Sequence, residues 1–144
     1  MRPKHTIQNI SLEEIENEDI LPAVPIKSSF KTLDDWLFAI CDSEKSEKSI
    51  DQYCMGLIEA DHERILFLLG INRANMKISV DFKPANMYFL IRNEKFKNLN
   101  KDQLMSELTT KLIEFTNTEK FKSSFLAESN SITFNDSVVI WSKK

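Results

Sequence analysis

A chain of 144 residues with 42% hydrophobic and 28% charged side chains can bury one core without metal or disulfide staples, and its composition is that of an ordinary globular domain rather than a disordered or fibrous chain. Net charge is −3, which argues against a general nucleic-acid binder, and the longest apolar run, Ile65 to Leu69 extended by Gly70 and Ile71, is far shorter than a membrane-spanning helix needs. Cys41 and Cys54 stand apart with no C-x-x-C spacing, so neither a disulfide framework nor a zinc site is implied.

The charge is unevenly distributed. Residues 1–63 hold 14 acidic and 6 basic side chains, a net of −8, whereas residues 64–144 hold 8 acidic and 13 basic, a net of +5. The opening "MRPKHTIQNISLEEIENED" has no apolar h-region and no small-residue cleavage site, so neither a signal nor a transit peptide is expected and the expected location is cytoplasmic. Ser11-Leu12-Glu13-Glu14 reads as a capping box, starting a short helix that must stop before Pro22. Pro22 and Pro25 then hold "LPAVPIK" extended, which makes residues 1–28 an N-terminal helix and connector. Thr32 caps the next helix, in which Leu33, Trp36, Leu37, Ile40 and Cys41 recur at helical spacing and face the core.

From Asp51 the period becomes that of strands. Tyr53, Met55 and Leu57 alternate with Cys54, Gly56 and Ile58, and "RILFLLGI" is a continuous apolar run, so two strands meet across "ADHE". Ile78, Val80 and Phe82 alternate with polar residues up to Pro84, and "NMYFLIR" adds another strand, which together suggest an antiparallel meander. Asn100 followed by Gln103 starts a helix with Leu104, Leu108, Leu112 and Phe115 inward, and "EKFKSSFLAES" reads as a shorter helix with Phe121, Phe125 and Leu126 on one side. "SITFNDSVVIW" alternates around Asn135-Asp136, a terminal hairpin. The expected fold is α+β over a single domain, 1–144: an antiparallel sheet of four to five strands with N-terminal helices and a helical pair packed on it. Its core should include Trp36, Leu37, Phe67, Leu69, Val80, Phe82, Leu108, Leu112 and Phe125.

The densest chemical stretch is "EADHER", residues 59–64, with three carboxylates and one of only 2 histidines. H-E-x-x-H would need a histidine at position 66, which is Leu66, and His5 lies far away in the chain, so the stretch reads as a hairpin turn without metal or catalytic role. An all-oxygen cation site from Glu59, Asp61 and Glu63 is the weaker alternative. The sharpest catalytic reading pairs Cys54 with His62 across the hairpin. Phosphate cradles lack their glycines: Gly56 and Gly70 are each isolated in a strand, where they suggest a bulge or close approach and could face one another as a notch. Arg92, Lys95, Lys97 and Lys101 around Phe96, with Lys120 and Lys122 around Phe121, read as solvated faces around core phenylalanines rather than a nucleic-acid stripe.

The succession "GLIEADHERILFLLGINR", "EKFKSSFLAES" and "ITFNDSVVIW" resembles small bacterial immunity proteins, the cytosolic antidotes paired with secreted polymorphic or contact-dependent toxins; the likeness covers roughly residues 50–144. The resemblance implies a non-enzymatic protein without cofactor or metal that binds a cognate toxin domain tightly, at its active site or beside it. Charge complementarity makes a basic toxin, such as a nuclease, the natural partner, with no direct contact to nucleic acid or membrane. The contact residues expected on that basis are Glu13, Glu14, Glu16, Glu18, Asp19, Asp34, Asp35, Glu59, Asp61 and Glu63, around an aromatic anchor drawn from Tyr53, Tyr88 or Trp141. The competing class is an acidic secretion or assembly chaperone, normally dimeric and ending on a helix rather than the strand-like "SVVIWSKK"; the Cys54 and His62 enzyme comes third.

Overall fold

The apolar stripe after Thr32 forms helix α1 (Leu33–Asp42) in the computed structural model, which describes residues 30–42, 49–60, 63–84, 86–92, 94–135 and 138–143. The Thr32 hydroxyl accepts from the Asp35 N–H at 3.0 Å, satisfying one of the helix's open amides, and Leu33, Trp36, Leu37 and Ile40 are buried. The indole N–H of Trp36 donates to the Asn86 carbonyl at 2.7 Å and its ring stacks on Phe89 with centroids 5.7 Å apart, which fastens α1 to the sheet. The helix expected from Ser11 and the connector through Pro22 and Pro25 lie outside the described residues.

β1 (Gln52–Ala60) and β2 (Glu63–Ala74) form the expected hairpin, in antiparallel register from Gln52↔Ile71 to Ala60↔Glu63. β2 is 12 residues long, enough for its outer edge to take two partners in succession. β3 (Lys77–Phe82) pairs with its far half, residues 70–74, and β4 (Tyr88–Leu90) with Ile65, Leu66 and Phe67. The meander therefore breaks after β3. Pairing of β3 ends where Phe82 meets Gly70, Pro84 cannot extend it, and the chain turns back to satisfy the open edge of β2, where Leu68 N–H donates to Met87 and Ile91 N–H to Arg64.

The chain then crosses one sheet face through α2 (Glu94–Lys97), α3 (Lys101–Thr116), α4 (Glu119–Lys122) and a 3₁₀ turn (Phe125–Glu128). It returns as β5 (Ser131–Phe134), and β6 (Val138–Ser142) closes the edge antiparallel to β5. A helical crossover of this length permits parallel pairing, and β5 lies parallel to β1. The fold is α+β: six strands among the described residues, in the order β3-β2-β1-β5-β6 with β4 also on β2, mostly antiparallel with one parallel pair. The capping box at Asn100 and Gln103 forms in both directions, and Leu104, Leu108, Leu112 and Phe115 of α3 face inward.

Strand alternation splits the buried side chains between two faces. Tyr53, Met55, Leu66, Leu68, Phe89, Ile132 and Phe134 join Trp36 and the α3 leucines in the main core, while Cys54, Phe67, Leu69 and Ile71 pack with Met87 on the other side. Phe121 sits between Phe115 and Trp141, with centroids at 5.5 and 5.2 Å. Two expected core residues are only half-buried, Val80 and Phe82, because β3 is an outermost strand. Phe82 still packs edge-on against Tyr53 and Phe125.

The glycines do not face one another. Gly56 stands opposite Phe67 and Gly70 opposite Tyr53, so no notch forms between them. Each instead admits a close neighbour: a Cβ on Gly56 would lie 2.5 Å from the Phe67 ring, and Gly70 marks the register shift between β2 and β3.

Candidate functional site

The EADHER stretch is held by its own charges. Arg64 reaches across to the start of the helical crossover, where one guanidinium nitrogen donates to the Leu99 carbonyl at 2.7 Å and the Phe96 carbonyl at 3.4 Å, while Nε pairs with Glu59 at 3.6 Å. Glu63 pairs with Arg92 at 3.9 Å. Asp61 and His62 lie outside the described residues, and no group of three His, Cys, Asp or Glu among the described residues could hold a metal ion. Arg64 ties this hairpin end to the helices.

Cys54 stands opposite Leu69 in the middle of β1 and is 1% exposed. It accepts from the Gln52 amide at 3.4 Å, and that amide also donates to Thr133 at 3.1 Å. The strand runs on for six residues to Ala60, roughly 20 Å at the rise of a strand, before the connection that carries His62. The register therefore separates Cys54 from the hairpin end instead of placing the two side by side, and buries the thiol in the middle of the sheet. Burial also pushes the Cys41 thiol up, against the lowering effects of a Ser124 hydrogen bond and Lys120.

The remaining acidic positions divide by where they sit. Asp34 and Asp35 are exposed on the first turn of α1 and make no ion pair with any described residue. Glu13, Glu14, Glu16, Glu18 and Asp19 lie outside the described residues. Phe38, one helical turn beyond Asp34 and Asp35, is 39% exposed on the same side of α1, with its ring tilted against Phe115 at 6.2 Å. It falls off the inward stripe of Leu33, Trp36, Leu37 and Ile40, and that offset was the sequence signal for it. The expected aromatic anchors are not available in the same way: Tyr53 is buried, Trp141 packs on Phe121 and Tyr88 is half-buried.

Basic segments behave as solvated faces. Phe96 and Phe121 are buried and present no ring to a base, and Lys120 pairs with Asp42 of α1. No described helix is long and apolar enough to cross a membrane.

The second hairpin, β2–β3, is built differently. β1 pairing stops at Ile71, so residues 72–79 continue as a two-stranded ribbon whose tip residues Arg73 to Lys77 are all exposed. Asn72 anchors its base: its side chain accepts from Asp51 N–H at 2.7 Å and donates to the Ser49 carbonyl at 2.9 Å and to Asp81 at 2.8 Å. At the tip, Asn75 and Met76 both have positive φ, 53° and 64°, the conformation of a type I′ turn, and Met76 is 96% exposed. Asn-Met lacks the glycine that advertises such a turn, so the sequence signal was only Asn75 between two strand-like runs.

Comparison with protein-family models, curated proteins and solved structures finds no match to this chain.

Proposed function

We propose that this chain is a non-enzymatic binding protein that neutralises a bacterial toxin domain by forming a tight complex, with a basic toxin such as a nuclease as its partner. The observation that carries the reading is the patch on α1, where Asp34 and Asp35, with no ion pair among the described residues, stand one turn from exposed Phe38 in the half of the chain that is net −8. An apolar ring beside carboxylates supplies the two parts an interface of this kind needs: an anchor that gains energy when desolvated, and charges that speed encounter with a basic surface. Glu59 and Glu63, already paired with arginines, are weaker candidates for that role than the sequence alone implied. The resemblance to immunity proteins supports the same class.

The antidote reading places the toxin domain in a neighbouring gene, and the test is to titrate the protein against the C-terminal domain of a secreted protein encoded there, at two ionic strengths. Wild type should bind and suppress the toxin's activity, and D34K/D35K should lower k_on roughly 3- to 10-fold at low salt while k_off changes less. Absence of binding ends the antidote reading. Binding with a salt-independent k_on retains the antidote and removes the electrostatic mechanism. A stable dimer that binds a secreted protein without inhibiting it would favour the chaperone class.

A further inference from the structure

The β2–β3 ribbon combines three properties that surface loops rarely share. Its tip side chain is large, apolar and 96% exposed; its tip backbone is strained, with a methionine at φ 64°, a left-handed conformation that glycine adopts without strain; and its base is fixed by three Asn72 hydrogen bonds. A fold seeking only stability would place glycine at position 76 and a polar residue in water. A side chain kept at a strained and fully solvated position gains nothing inside the free protein, where Met76 has no burial to recover.

We propose that the ribbon is a second contact of the antidote, a rigid finger that inserts Met76 into an apolar pocket of the toxin domain. The proposal rests on the toxin-neutralising reading. Lys77, exposed beside the tip, assigns a carboxylate to the rim of that pocket. Carboxylates do acid and base work in many hydrolytic active sites, so a finger carrying a cation beside an apolar tip is assigned to the toxin's cleft rather than to its basic exterior. Methionine suits such an anchor because its unbranched, polarizable side chain adapts to an irregular pocket, and the anchored base limits the entropy lost when it docks. The two contacts then divide the work: the α1 patch meets the basic exterior, and the finger occupies the cleft.

Met76→Gly and Met76→Gln separate the possibilities. The glycine variant relieves the left-handed strain and should melt at or above the wild-type Tm, yet bind the neighbouring toxin domain at least about tenfold more weakly, as loss of an interface anchor does. The glutamine variant keeps the length and the backbone strain but not the apolar character, and should weaken binding to a similar degree. Wild-type binding matched by Met76→Gly overturns the finger while leaving the antidote reading intact; wild-type protein that does not bind the toxin domain overturns both. Weakened binding accompanied by a lower Tm in both variants would make Met76 a stability residue and also refute the finger.

Discussion

The two ends of β2 make an instructive pair. At one end, Glu63 and Arg64 sit in the densely charged stretch 59–64, and every described charge there has a partner: Glu59 on Arg64, Glu63 on Arg92, and Arg64 on two backbone carbonyls. At the other end, Asn75 and Met76 carry no charge and read as an unremarkable connection, yet they leave a large apolar side chain in water. Charge density in a sequence marks groups that can be satisfied internally as readily as groups waiting for a partner. A charge can be satisfied by an internal ion pair, whereas an apolar side chain left in water has no such outlet, and the proposed contact is built on the latter.

One strand, β2, separates the two ends, and its packing carries the largest expected effect. Phe67 is central in β2 and its ring lies over Gly56, so Phe67→Ala should cost about 3 to 5 kcal/mol in urea unfolding, and a loss under about 1 kcal/mol would contradict a packed central strand. Gly56→Ala, which forces a Cβ against that ring, should cost about 1 to 3 kcal/mol, and less in a Phe67→Leu background where the ring is gone.

Breaking the charged end comes next. Arg64→Met keeps the apolar stem but leaves the Leu99 carbonyl without its donor, and should cost about 1 to 3 kcal/mol. Glu63→Gln, by contrast, loses one exposed ion pair and should change stability by no more than about 0.5 kcal/mol. If the two substitutions had equal effects, the hairpin end would be held by surface pairing rather than by the tie of Arg64 to the helices.

A smaller effect comes from pH. Burial raises the pKa of the Tyr53 hydroxyl, helped by the charge of Glu128, and burial also raises Cys41 and Tyr88. Each group holds its proton more tightly in the folded state, so the stability it contributes is fully present at neutral pH and falls as pH rises past the ordinary values of 9.0 for the thiol and 10.0 for the phenols. Tm should therefore be flat from pH 7 to about 8.5 and decline above it, and Tyr53→Phe should reduce the slope above pH 10.

Much of the scaffold was legible because its signals are local. The α1 stripe, the capping box at Asn100 and Gln103, and the positive φ of Asn135 in the terminal hairpin all follow from residues within a few positions of one another. What was not legible depends on distant partners. In "ILFLLGI" every residue is apolar, so nothing in the run says that Leu66 and Leu68 face the helices while Phe67 and Leu69 face away. The return of β4 to β2 and the parallel docking of β5 on β1 are decided by which edge remains open after the first hairpin forms. The candidate site was half legible: Asp34 and Asp35 stand exposed on α1, Glu59 and Glu63 are paired with arginines, and neither Phe38 nor Met76 was singled out, because exposure of an apolar residue is a tertiary property.

The most direct measurement is the rate at which dilute peroxide oxidises each methionine, read by mass spectrometry with and without the neighbouring toxin domain. Free protein should show Met76, fully exposed, oxidised far ahead of Met55 and Met87, which are 3% and 6% exposed. In the complex the account predicts that Met76 becomes as slow as the buried pair, because its side chain is inside the partner's pocket. Met76 oxidised at the same rate in a demonstrably formed complex would contradict it.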